Sequence, residues 1–90
     1  MGKTNLQQKF GKLVRRWREG ASLTQEKLAD EAGIHRTYIS LLECGQCAPT
    51  IEVVRRLAKA FKTTMTAIVA ELEGVDVIFP SASGRRREKS

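Results

Sequence analysis

The 90-residue chain has three cysteine and histidine side chains, the types that most often bind zinc: Cys44 and Cys47, in "ECGQC", and the single histidine, His35. A zinc site needs four ligands. Two cysteines and one histidine fall short, so no metal is expected. A catalytic Cys-x-x-Cys pair sits at a helix N-terminus, which favours the thiolate. Here the pair follows a helical stretch ending at a glycine, so the helix dipole opposes the thiolate and redox catalysis is not expected. Two reduced thiols in a tolerant turn are the expectation. Closure to a disulfide that alters binding is the competing reading, and it makes Cys44 and Cys47 candidate redox residues.

Nothing else in the chain has the pattern of a catalytic centre. Paired carboxylates, a phosphate-cradling glycine loop and a Ser/His/Asp arrangement are all missing, so the chain is not expected to be an enzyme or to need a cofactor. The net charge is +6 and the isoelectric point about 9.8. A basic domain suits a polyanion such as nucleic acid. Half of that excess comes from the last six residues, "RRREKS", so the rest is only mildly basic. No apolar run approaches the ~18 residues that cross a membrane. "MGKTNLQQKF" has no apolar leader segment, and Leu6 stands where a myristoylation signal has Ser or Thr. A cytoplasmic protein with reduced thiols is the expectation.

The elements that must position these groups follow from periodicity. Leu6, Phe10, Leu13, Val14 and Trp17 fall at helical spacing, with Lys9, Lys12, Arg15 and Arg16 on other faces and Gly20 as the stop. Thr24 caps a second helix that buries Leu28, Ala29 and Ala32 and closes at Gly33. A third places Ile34, Ile39 and Leu42 inward and ends at Gly45. Thr50 caps a fourth, in which Ile51, Val54, Leu57, Ala58 and Phe61 keep helical spacing, and Thr64 a fifth, with Met65, Ile68 and Leu72 inward. "VDVIF" (75–79) alternates like a short strand and "PSASGRRREKS" (80–90) reads as a disordered basic tail. The expected fold is all-α, with five short helices. Residues 24–43 supply what a helix-turn-helix needs: small Ala29 at the crossing, Gly33 in the turn, and Ile34 and Ile39 as anchors. Its second helix then suits the major groove.

"LTQEKLADEAGIHRTYISLLECGQCAPT" resembles the helix-turn-helix of the phage repressor/Cro-like (XRE) regulators. The matching positions are Thr24, Gln25, Leu28, Ala29, Gly33, Ile34, Ile39, Ser40, Leu42, Glu43, Gly45, Pro49 and Thr50, and the resemblance covers about residues 9–73. "HRTYIS" is also similar to the recognition helix of restriction–modification controller proteins. The resemblance implies DNA-contacting roles. Gln25 touches phosphate or the outermost base. Arg36, Thr37 and Leu41 reach base edges, Arg36 with the fork that fits guanine. Tyr38 and Ser40 hold phosphates. His35 stands at the family's serine cap and joins the contact set, as does Gln46 in the following turn. Arg18 and Glu43 take the place of a partly buried ion pair between the first and third helices. Cys44 and Cys47 depart from the family, which usually has phosphate-gripping cations there.

The resulting expectation is a repressor-like DNA-binding domain over residues 9–74, with a lead at 1–8 and an extension at 75–90. It would act as a transcriptional regulator, a homodimer on a roughly palindromic double-stranded DNA operator, with no small-molecule ligand and no membrane partner. The fifth helix and residues 75–79 are the expected dimer surface. The competing reading is a protein-interaction module, such as an antitoxin or a repressor partner.

Overall fold

The computed structural model describes residues 5–74. Five helices follow one another: α1 (Leu6–Gly20), α2 (Gln25–Ala32), α3 (Arg36–Glu43), α4 (Ile51–Ala60) and α5 (Met65–Leu72). The suggested strand at 75–79 and tail at 80–90 lie outside the described residues. Residues 6–8 of the expected lead belong to α1.

Four helices start on a side-chain cap. Asn5 accepts from the Gln8 N–H, Thr24 from Lys27, Thr50 from Val53 and Thr64 from Ala67, at 2.8–3.1 Å. Each cap satisfies one of the donors that a helix start leaves open. The helix ends use left-handed residues. Gly33 (φ 68°) and Gly45 (φ 73°) close α2 and α3 as expected. Helix α1 ends at Gly20 as expected, but the left-handed position falls to Ser22 (φ 61°). The backbone makes the same closure there, with Leu23 N–H on the Arg18 carbonyl at 3.0 Å. Lys62 (φ 59°) plays this part after α4.

A left-handed side-chain residue costs about 1 kcal/mol that glycine avoids. Lys62→Gly is therefore expected to stabilise the domain by ~0.5–1 kcal/mol in urea melts. Lys62→Ala should show no such gain, and equal effects of the two would discount backbone strain there.

The core draws on every helix: Phe10, Leu13 and Val14 of α1, Leu28, Ala29 and Ala32 of α2, Ile39 and Leu42 of α3, Leu57 and Ala58 of α4, and Ile68 of α5. Trp17 is half-buried and meets Phe61 edge-on, with ring centroids 5.7 Å apart. Two residues of the periodic apolar stripes are exposed: Leu6 is 61% exposed and Ile51 76%. Both are the first residue of their helix, where the periodic stripe runs past the end of the packed layer. Helix α3 packs against α1 on one side and α2 on the other, which holds it at the surface with one face free.

Candidate nucleic-acid interface

The free face follows from helical geometry. Ile39 and Leu42 are fully buried, so α3 turns the arc of Arg36, Ser40, Thr37 and Leu41 outward. Arg36 and Thr37 are exposed, Leu41 is 37% exposed and Ser40 half-buried. Arg36 is the one cation of α3, and among the described residues it has no ion-pair partner. Its guanidinium is free to take a planar acceptor. His35 is exposed at the N-cap of α3 and makes no side-chain cap bond, so it leaves the first-turn donors of that helix open. Gln46 is exposed in the turn beyond, with its N–H on the Leu41 carbonyl at 2.9 Å.

Beneath this face lies the expected ion pair. Arg18 Nε donates to Glu43 Oε2 at 2.6 Å and Nη2 to Oε1 at 3.1 Å, a two-pronged contact. Arg18 Nη1 also donates to the Leu23 carbonyl at 2.8 Å. The side chains are only 13% and 4% exposed. The hydrogen bonds to Glu43 hold the Arg18 guanidinium above its ordinary range, against the opposing effect of burial. One knot thus ties α1, the α1–α2 turn and the end of α3.

Two side chains with implied DNA contacts have partners inside the domain. The Gln25 amide donates to Glu43 Oε1 at 3.0 Å and so joins the knot. Tyr38 is half-buried, and its hydroxyl donates to the Ala48 carbonyl at 3.3 Å. It braces α3 against the turn that leads to α4. Burial first, then the neighbouring Cys47 thiol, push the Tyr38 phenol above its ordinary value. Cys44 is exposed and Cys47 half-buried, and both are free thiols. Among the described residues no group of three or more His, Cys, Asp and Glu side chains is placed to hold a metal.

The sequence reading also passed over Gly11, which is buried where α1 crosses the end of α3. A signal was present. A glycine inside an otherwise good helical stripe, between Phe10 and Leu13, usually marks a close approach.

A helix-turn-helix family matches residues 14–68. Control protein C.BamHI of Bacillus amyloliquefaciens is 40% identical over 57 residues, which is 62% of this chain and 70% of that one. The HTH-type transcriptional activator BcrR of Enterococcus faecalis is 33% identical over 61 residues, 68% of this chain but only 30% of the activator. The restriction–modification controller protein C.AhdI of Aeromonas hydrophila superposes with a TM-score of 0.67 at 31% identity, over 69% of this chain and 94% of that one. A controller protein solved as a tetramer on its natural operator, C.Esp1396I, gives a TM-score of 0.72 at 25% identity, over 80% and 95% of the two chains. The chain belongs to the helix-turn-helix family of transcriptional regulators. Within that family, the chain is 40% identical to a control protein and 31% identical to a restriction–modification controller protein. Among the described residues, no helix is long and apolar enough to cross a membrane.

Proposed function

We propose that the chain is a sequence-specific transcriptional regulator that reads double-stranded DNA with α3 in the major groove. The observation that carries this is the outward arc of Arg36, Thr37 and Leu41, backed by a helix locked to α1 through Arg18 and Glu43. In this reading Arg36 grips guanine, Thr37 offers a hydroxyl and a methyl, and Leu41 meets a thymine methyl. His35, Ser40 and Gln46 flank the arc and suit phosphates. Gln25 and Tyr38 first serve as supports: the second N–H of the Gln25 amide remains for a phosphate, whereas the single Tyr38 O–H reaches a phosphate only by leaving the Ala48 carbonyl. The protein acts in the cytoplasm, and the reading includes no catalytic step.

One α3 reads only a few base pairs, so a symmetric dimer on a roughly palindromic operator supplies the missing specificity. The surface we assign to a second copy is on α5. There Met65, Thr66, Val69, Ala70 and Glu73 line a shallow, mostly apolar hollow of about 440 Å³. The apolar Val75, Val77, Ile78 and Phe79, expected to join this surface, lie outside the described residues.

Selection of bound sites from a random duplex pool should enrich a two-fold symmetric motif. Arg36→Ala should then weaken binding to that motif by about 10–100-fold, the loss of one bidentate base contact. Unchanged affinity would remove Arg36 from the readers. Failure of any motif to enrich, with a protein partner still bound by the Arg36→Ala variant, would favour the protein-interaction reading.

A further inference from the structure

The outward face continues past the end of α3. Thr37, Leu41 and Cys44 follow one another at i, i+4 and i+7, and Cys44 is exposed at the C-cap. Its thiol therefore lies on the face assigned to DNA. Cys47, three residues on, is turned the other way: it packs against the core beside the Tyr38 hydroxyl. The first half of the connecting turn is fixed. Gly45 is left-handed, and the Gly45 and Gln46 N–H groups close on the Leu42 and Leu41 carbonyls at 3.0 and 2.9 Å. The second half is looser, for among the described residues neither the Cys47 nor the Ala48 N–H has a backbone acceptor. One thiol is presented, the other is held in reserve, and the hinge between them is on the Cys47 side.

We propose that Cys44 and Cys47 form a dithiol modification site that closes by exchange with a low-molecular-weight disulfide, and that closure weakens DNA reading. The second half of this inference rests on the DNA-reading assignment above. The Cys44 thiolate attacks one sulfur of the small disulfide, whose S–S bond breaks and releases one thiol. The Cys47 thiolate then attacks the Cys44 sulfur of the mixed disulfide and releases the second. The protein pair gives up two electrons and two protons, and the small disulfide takes up both. To bridge, Cys47 must leave the core and the Tyr38 ring. That draws Ala48, the acceptor of the Tyr38 hydroxyl, out of place and loosens the brace between α3 and the start of α4.

The test incubates the full chain with excess oxidised glutathione. The intact mass should fall by about 2 Da with no glutathione retained, while Cys47→Ser should retain the adduct on Cys44. Tyr38 is the one tyrosine of the chain, so tyrosinate absorbance reports on it alone. A thiolate beside a phenol disfavours the second negative charge, so the closed form should titrate at lower pH than the reduced form. Affinity for the duplex selected by the reduced chain should drop at least about tenfold on closure and return with dithiothreitol, and Cys44→Ser should not respond. A stable glutathione adduct on the parent chain, or a closed form that binds as tightly as the reduced one, overturns the proposal. A reduced chain that selects no duplex overturns the DNA-reading assignment instead, and the mass and tyrosine readings then decide closure by themselves.

Discussion

Arg18→Ala is expected to destabilise the domain by about 3–5 kcal/mol, because it strands a buried carboxylate. Glu43 is 4% exposed at its side chain and takes three hydrogen bonds: two from Arg18, at 2.6 and 3.1 Å, and one from Gln25 at 3.0 Å. Without the guanidinium, Gln25 alone faces the charge, and the Leu23 carbonyl loses its 2.8 Å donor as well. Small domains hold only about 5–15 kcal/mol in total, so the loss is a large fraction of the whole. Thermal unfolding should come at least about 12 °C earlier. Arg18→Lys should fall between, since an ammonium keeps the charge but not the fork. Replacing both partners by methionine should cost far less than Arg18→Ala, because no charge is then left buried. A loss under about 1 kcal/mol for Arg18→Ala would show that the pair is solvated in solution and that α3 is held by packing alone.

The same knot shows what could be read from the sequence and what could not. Thr24, Thr50 and Thr64 were legible as caps because a cap needs only a short side-chain oxygen at the right place before a helical stripe. Gly33 and Gly45 were legible for a similar reason: a left-handed helix end favours glycine. Ser22 and Lys62 fill that position without the usual residue, so their types give no mark of the left-handed turns after α1 and α4. Arg18 and Glu43 stand 25 positions apart, and their pairing was implied only by the resemblance to the repressor family. The partners of Gln25 and Tyr38 had no signal at all. An amide and a phenol accept many neighbours, and which one is near depends on how three helices cross. The opposed directions of Cys44 and Cys47 belong to this class too, since a two-residue gap does not say which thiol faces the core.

Gly11 is the position where the crossing itself is set, and Gly11→Ala is expected to cost about 3 kcal/mol or more. In an unobstructed helix the change would gain roughly 0.5–1 kcal/mol, since alanine loses less backbone entropy than glycine on folding. Here a β-carbon would overlap the Leu42 carbonyl oxygen and lie 2.9 Å from the Glu43 carbonyl oxygen and 3.0 Å from its carbon. These are backbone atoms at the end of α3, so no side chain can swing aside. Helix α1 would have to move away from α3, which opens the layer that holds Phe10, Leu13 and Val14 and lengthens the Arg18–Glu43 contact. Gly20 provides the control. It lies in the same helix with nothing within 4 Å of its would-be β-carbon, so Gly20→Ala should be neutral to stabilising. Urea melts of the two variants separate the terms: helix propensity moves both the same way, and close packing moves only Gly11→Ala down. If both variants gained stability, α1 would be shown to sit farther from α3 in solution than the backbone contact at Gly11 requires, and the ion pair beneath the reading face would have to be formed at longer range.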